Sequence, residues 1–305
     1  MHVLVTGGLG YIGGEAVRRF LQRGDRVSVV DLPRIGAVAP TPHENLAVHF
    51  ADITNPTLIG PLLRGVDVVV HGAGIHQADE VVRHPNRHVE VNVNGTYNML
   101  EAAVGAGVSR FVHLSSAKIY GPVDVDGASN ESDLVRPADE YSLGKYAAES
   151  FCNHFAEHTP LEVCALRPFS VYGPAMDLRT GYCGALLDAL LSGTAAVLSG
   201  RPDYSRDFVH LDTVADVVVA AATSSTAPPP RLNVGSGTST TLAELVAVFD
   251  AHVCRDLEVT YSEPRPGTLD RTLADISLMS EFACPDIPDL RTGISEMIAR
   301  HRTRQ

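Results

Sequence analysis

The chain has 305 residues, a formal net charge of −12 and 45% hydrophobic residues. That length buries a large core, in one domain or two intimate ones, and the acidic balance argues against nucleic acid or an anionic membrane as a partner. No apolar run reaches the roughly 18 residues that span a bilayer, and the N-terminus runs straight into a strand pattern without a signal core. The five cysteines (152, 164, 183, 254 and 284) are scattered without CxxC spacing, which reads as reduced thiols in a cytoplasmic protein. The 13 histidines include no HExxH and no paired Cys/His set, so no metal site is expected.

Residues 2–6 form an apolar strand pattern that runs into Gly7, Gly10 and Gly13. A helix over 11–22 follows, with Ile12, Ala16, Val17, Phe20 and Leu21 on one face and Gly24 as its stop signal. Glycines at this spacing allow a tight turn, close approach of a pyrophosphate and close helix–strand packing. The helix N-terminus offers free N–H groups to phosphates. A second strand, 26–30, ends in Asp31, where a ribose-binding carboxylate belongs. Asp31 favours NAD, because its carboxylate can accept from ribose hydroxyls and would repel the 2′-phosphate of NADP. Arg34 lies close enough in sequence to oppose that preference.

Strand patterns at 46–50, 67–71, 110–115 and 161–167 alternate with helix patterns at 55–64, 88–106 and 141–158. Several strands are near-continuous Val, Leu and Phe, as strands buried on both faces are. The alternation predicts an α/β fold, a doubly wound parallel sheet. Ligands in such sheets bind beyond the carboxyl ends of the strands. The glycine turn, Asp31, Asp52, His71-Gly72-Ala73-Gly74 and Leu114-Ser115-Ser116 all fall there. After Arg167 the pattern loosens at Pro168, Gly173, Pro174 and Gly181. A helix at 184–192, a strand and helix within 207–219, a strand at 232–234 and helices at 241–252 and 290–301 complete the chain. The expected organisation is a dinucleotide-binding domain of residues 1–167 plus about 205–236, with a smaller substrate region of 168–204 plus 237–305.

Tyr141 and Lys145 stand four residues apart, one above the other on a helix. A free phenol, with a pKa near ~10, is a poor base at neutral pH. A neighbouring ammonium favours the phenolate and brings Tyr into range for proton transfer. Tyr146, Ala147, Phe151 and Phe155 are the expected buried positions of the same helix.

Together these segments resemble the extended short-chain dehydrogenase/reductases, and among them the NAD-dependent epimerase/dehydratase family acting on nucleotide sugars. Thr6-Gly7-Gly8-Leu9-Gly10-Tyr11-Ile12-Gly13 is similar to the family's phosphate loop and Asp52-Ile53 to its adenine contact. Asn92-Val93-Asn94-Gly95-Thr96 resembles its central helix, and Leu114-Ser115-Ser116-Ala117-Lys118-Ile119-Tyr120-Gly121 its catalytic-serine segment. Arg206-Asp207-Phe208-Val209-His210, Asn233-Val234-Gly235 and Arg265-Pro266-Gly267 resemble later signatures.

The resemblance implies a Rossmann-type domain binding NAD through Gly7, Gly10, Tyr11, Ile12, Gly13, Asp31, Leu32, Asp52, Ile53, Ala73, Gly74, Asn92, Ser115, Tyr141, Lys145 and Pro168. It makes Tyr141 the general base, Lys145 the residue that holds the nicotinamide ribose and lowers the phenol, and Ser116 the partner of the reacting oxygen. Arg206 and Arg265 would clamp the diphosphate of a nucleoside-diphosphate sugar, and Ser170 would touch substrate. A homodimer is implied through the helices at 88–106 and 141–158, with Val89, Val93, Leu100 and Phe151 as candidate buried positions.

Departures from the family pattern bear on specificity. Ser170 stands where the family has Asn, Thr268 where it has an acid, and His71-Gly72-Ala73-Gly74 where it prefers two alanines. His76-Gln77 follows as a candidate pocket feature. The 4,6-dehydratase branch places Asp-Glu after the hydroxyl residue; here those positions are Ala117-Lys118, a methyl and an ammonium that cannot replace two acids in eliminating water. The implied activity is therefore a nucleotide-sugar epimerase, most simply a UDP-hexose 4-epimerase working through a transient 4-keto sugar. A dehydrogenase or 4-ketoreductase that exchanges cofactor each turnover is the second reading. A non-catalytic NAD-binding sensor or scaffold is the third, and the intact Ser116, Tyr141 and Lys145 argue against it.

Overall fold

The computed structural model describes residues 1–33, 41–76, 85–122, 127–252, 257–264 and 267–302. Its main sheet has seven strands: β1 (His2–Thr6), β2 (Arg26–Asp31), β3 (Leu46–Phe50), β4 (Val68–His71), β5 (Arg110–Leu114), β6 (Glu162–Pro168) and β10 (Arg231–Val234). Their order is β10-β6-β5-β4-β1-β2-β3, and every pairing is parallel. The chain winds from β1 to β3 in one direction, then returns to β4 on the other side of β1. This reversal opens a crevice at the carboxyl ends of β1 and β4, which is where the glycine turn sits.

Alternation along β1 sends its side chains into two different layers. Val3 and Val5 pack with Ala16, Val17 and Phe20 of α1 (Tyr11–Gln22) and with Val214, Val217 and Val218 of α7 (Leu211–Thr223). Leu4 faces the other way, toward Met99, Leu100 and Ala103 of α4 (Thr96–Ala106) and Cys152 and Phe155 of α5 (Glu140–His158). Each fully buried aliphatic or Phe side chain contributes about 1.5–3 kcal/mol, so burial on both faces fixes the sheet between two helical layers. Among the described residues, no helix is long and apolar enough to cross a membrane.

The expected helix over 55–64 is a short α2 (Pro56–Ile59) running into a tighter 3₁₀ turn, Gly60–Leu63. Asn55 caps it by accepting from the Thr57 N–H, and Pro61, which has no N–H, cannot continue the α-helical ladder. The expected helix over 88–106 comprises α3 (Pro85–Val89), a π-helical turn over Glu90–Gly95, and α4. That turn carries Asn92, whose buried amide pairs with the backbone of Ile75.

The helix that carries Tyr141 corrects the expected burial pattern. Its buried face is Ser142, Gly144, Lys145, Ala148, Glu149, Cys152 and Phe155, while Tyr146 is exposed and Ala147 and Phe151 are only partly buried. Polar residues take the inner face because the helix crosses the strand ends, where their hydrogen-bond partners lie.

Residues after Pro168 build smaller sheets. β7 (Ser170–Tyr172), β9 (Ser205–His210) and β11 (Ser239–Thr241) form one of three strands; β8 (Ala196–Ser199) and β12 (Val259–Ser262) form a pair. Apart from β9, these strands are too short to carry a readable alternation. Leu186 and Leu187 of α6 (Gly181–Ser192), Phe249 of α8 (Leu242–Asp250), and Ile294 and Met297 beyond it form the core of this region. The last two lie on α10 (Leu290–Arg302), which follows a short α9 (Ser277–Phe282).

Candidate active site

Tyr141 enters the site because α5 is capped just before it. Asp139 accepts from the Ser142 N–H at 2.8 Å, and Ser142 Oγ accepts from the Asp139 N–H at 3.2 Å. Such a reciprocal cap satisfies backbone donors that the first turn leaves open. Lys118, on the 3₁₀ turn Ala117–Tyr120, adds an ion pair to Asp139. Burial is the largest influence on the Asp139 carboxyl and pushes it up, but hydrogen bonds from Lys118 and Ser142 outweigh it and hold the group below its ordinary range.

Lys145 is buried, and its Nζ donates to the Leu114 carbonyl at 2.7 Å. The hydrogen-bond network of the strand ends leaves this ammonium beside β4 as well. A Cβ on Gly74 would lie 3.0 Å from Asn92 Oδ1 and 3.5 Å from Lys145 Nζ, so a side chain there would crowd both. Burial pulls the Lys145 ammonium down to about 8. Burial pushes the Tyr141 phenol up to about 12; a hydrogen bond with Ser116 opposes the rise and Asp139 adds to it. The expected lowering of Tyr141 by Lys145 is not among these influences. The ammonium is turned to the Leu114 carbonyl, which accepts a hydrogen bond from it, and the phenol is governed mainly by its own desolvation. Ser116 Oγ also accepts from the Lys118 N–H at 3.2 Å.

The residues at the crevice fit a dinucleotide. Gly7 has φ +68°, and a Cβ there would sit 2.7 Å from Ala73 N; a Cβ on Gly13 would sit 2.3 Å from Gly7 O. The loop thus leaves its backbone bare at the start of α1, where Tyr11 and Ile12 form the first turn. Asp31 closes the loop from β2, accepting from Leu9 N–H at 2.9 Å and Leu32 N–H at 2.8 Å. Leu32 is exposed beside it. Ile53 is buried against Gly95, and its carbonyl accepts from Asn98 Nδ2 at 3.1 Å. Asp52 pairs with Arg87 at 2.5 Å; burial would raise its carboxyl, but this contact and Thr54 lower it. The Ala73 N–H donates to Thr6 Oγ1 at 3.2 Å, which joins β4 to the loop. Pro168 ends β6 at the same side of the sheet. Arg34 and Gln77 lie outside the described residues.

Below this surface lies a buried polar network that composition and periodicity did not reveal. Ser115 Oγ donates to Glu149 Oε2 at 2.8 Å, and Glu149 pairs with Arg167 at 2.5 Å; each partner is 1% exposed. Arg167 Nη1 donates to Tyr120 Oη at 2.8 Å, and Tyr120 Oη donates to Asn233 Oδ1 at 2.6 Å. Glu149 stands four residues after Lys145, so its place on the same helix face was readable from spacing. Its partner on β6 was not, because a strand-end Arg carries no mark of burial. His88, also missed, packs beside Tyr141.

The substrate candidates separate. Ser170 is partly buried and opens β7, in register with Phe208. Arg206 is buried, with its guanidinium turned to protein acceptors: the carbonyls of Ser205 at 2.7 Å, Leu269 at 2.5 Å and Asp270 at 3.3 Å, and Tyr182 Oη at 3.2 Å. Arg265 lies outside the described residues. Asp207 does not pair with Arg206; it accepts from the backbone of Ser236, Gly237 and Ala274.

The sequence model of the NAD dependent epimerase/dehydratase family matches residues 3–235. The chain belongs to this family. It is 32% identical over 283 residues to a UDP-glucose 4-epimerase of Mycolicibacterium smegmatis, covering 90% of both chains. It is 30% identical over 297 residues to UDP-glucose 4-epimerase 2 of Oryza sativa subsp. japonica, covering 87% of this chain and 72% of the relative. The solved structure of MoeE5 in complex with UDP-glucose and NAD superimposes with a TM-score of 0.91 at 28% identity, covering 100% of this chain and 99% of the other. The UDP-glucose 4-epimerase of Thermotoga maritima, solved with UDP-glucose, gives 0.93 at 25% identity, with the same coverage. As a member of the epimerase/dehydratase family, the chain is an NAD-dependent enzyme. Lys118, which with Ala117 stands where the resemblance puts the acidic pair of the dehydratase branch, forms an ion pair with Asp139.

Proposed function

We propose that the chain is a nucleotide-sugar 4-epimerase, most simply acting on a UDP-hexose. The observation that carries this reading is the convergence of Ser116, Tyr141 and Lys145 at the strand ends, next to the bare glycine loop and Asp31. UDP-sugar relatives and neighbours across the whole chain support the substrate class.

In this reading Tyr141 takes the proton of the sugar C4 hydroxyl while Ser116 holds the same oxygen. NAD, when bound, would supply the redox chemistry, a hydride acceptor for C4 of the sugar and a donor back to the opposite face of the resulting ketone. Tyr141 then gives its proton back, so neither protons nor electrons accumulate. Lys145 would hold the nicotinamide ribose, and the glycine loop and Asp31 would hold the pyrophosphate and adenine ribose. Tyr141 is a phenol in the cofactor-free protein; the positive charge of an oxidised nicotinamide nearby would favour phenolate during turnover. Ser170, smaller than the Asn of the family pattern, would leave more room beside the sugar, and Arg206 would reach the diphosphate only by turning from the carbonyls it now meets.

The buried thiols Cys152, Cys164 and Cys183 are free and fit a reducing cytoplasm. Val89, Leu143 and Tyr146 are exposed on α3 and α5, and they support a homodimer through that surface. Leu100, expected in the same interface, is instead 0% exposed within its own subunit. Light scattering at micromolar protein that gives only monomer would reject the dimer.

The function is tested by offering UDP-glucose, UDP-glucuronic acid and UDP-N-acetylglucosamine to wild type and Tyr141→Phe, and resolving the sugar products. Wild type should form the C4 epimer of at least one, and the variant should lose about 10²–10⁴ in rate while still binding NAD. Near-wild-type turnover by Tyr141→Phe would remove the phenol from the mechanism.

A further inference from the structure

His88 is the penultimate residue of α3, four positions before Asn92, and has no assigned role toward cofactor or substrate. It is 1% exposed, and its ring lies 6.2 Å from the Tyr141 ring, tilted by 47°. Directly beside it is Gly144. A Cβ built on Gly144 would meet His88 Cε1 at 2.6 Å, Nε2 at 3.2 Å and Nδ1 at 3.5 Å. The imidazole therefore occupies a notch in the first turns of α5 that exists only because residue 144 lacks a side chain. Contacts below 3 Å are not tolerated without movement, so a side chain at residue 144 would displace the ring from its present place.

The nitrogen Nε2 is buried and has no hydrogen-bond partner among the described residues. That atom does not anchor the ring, so packing in the notch and against Tyr141 sets its place. The charged groups around it are Lys145, Asp139 and Glu140, all on or capping α5. Burial first, then Lys145, lower the imidazole from its ordinary value, against the opposing pull of the two carboxylates. The ring is neutral at physiological pH and adds no charge beside the phenol.

We propose that His88 is a positioning residue for Tyr141: its ring, seated in the Gly144 notch, holds the phenol at the angle that meets Ser116 and the reacting oxygen. The proposal rests on Tyr141 being the proton acceptor. A phenol freed to tilt loses the near-attack geometry, and a displacement of about 1 Å can cost on the order of 10²-fold in rate.

The test is a double-mutant cycle on the full-length enzyme with UDP-glucose, alongside Tyr141→Phe, thermal unfolding and NAD titration of each variant. His88→Ala should lower kcat roughly ten-fold or more while KM and NAD affinity stay within about two-fold. Gly144→Ala should lower kcat similarly by expelling the ring. The double variant should be no worse than His88→Ala, because the clash has gone with the ring. His88→Phe, which keeps the ring shape, should recover most of the lost kcat. Additive losses in the double variant, or a His88→Phe as slow as His88→Ala, would overturn the proposal. So would His88→Ala that lowers the unfolding temperature but leaves kcat of the folded enzyme intact. If Tyr141→Phe is inactive and His88→Ala is normal, only the positioning role fails; if Tyr141→Phe is active, the catalytic reading beneath it fails.

Discussion

Lys145 Nζ donates to the Leu114 carbonyl at 2.7 Å, a hydrogen bond that ties the helix carrying Tyr141 to the strand end that leads into Ser116. The ammonium is buried to make this contact, and burial brings it down to about 8 from 10.5. Between those two values the unfolded chain holds the proton and the folded chain releases it. Stability attributable to Lys145 therefore rises as pH rises through that window. Relative to Lys145→Met, wild type should gain about 3 kcal/mol from below pH 8 to above 10.5. Urea unfolding of both proteins across the window checks this, and a pH-independent difference would contradict it.

Glu149 and Arg167 make the most deeply buried ion pair at the site. Glu149→Gln leaves the guanidinium uncompensated and should cost about 3–5 kcal/mol. Replacing both residues with Met should cost less than Glu149→Gln alone, since no buried charge then remains. Equal losses in the two proteins would show that the pair matters through packing and not through charge.

His113 is buried on β5 with both ring nitrogens unpaired among the described residues. Burial first, then Lys145 and His71, hold it well below its ordinary value. His113→Leu should stabilise the protein by about 1–3 kcal/mol at neutral pH, because an unsatisfied polar group is removed. Below about pH 6.5 the unfolded imidazole binds a proton that the folded one refuses, so wild-type stability falls with pH by up to about 1.4 kcal/mol per unit. The advantage of His113→Leu should therefore widen from pH 7 to 5, as measured by chemical denaturation. A constant advantage would mean His113 is protonated in the folded state.

Much of the fold was legible because its strongest signals are local. The glycine turn, the Val-rich strands and Asp31 need no long-range information, and each lies where spacing placed it. The inner face of α5 was misread because apolar periodicity was taken to mark burial. Lys145 and Glu149 instead face inward to partners on β5 and β6 that are distant in sequence. His88 gave no signal at all; its role depends on the absence of a side chain at Gly144, seen only once α3 and α5 are packed.

Arg206 ties β9 to residues 269 and 270 through backbone carbonyls. Arg206→Ala should lower stability by about 1–3 kcal/mol by leaving those acceptors unpaired. If it also contacts the donor diphosphate, the Michaelis constant for the nucleotide sugar rises roughly ten-fold while NAD affinity holds. Lower stability with an unchanged Michaelis constant would confine Arg206 to the fold.

The most direct test of the central claim is the fate of deuterium placed at C4 of UDP-glucose. Hydride that leaves and returns within one active site should appear at C4 of UDP-galactose, undiluted by solvent, with no build-up of reduced nicotinamide absorbance. Loss of the label to water, or reduced nicotinamide formed in step with an oxidised sugar, would contradict epimerisation by a recycled cofactor.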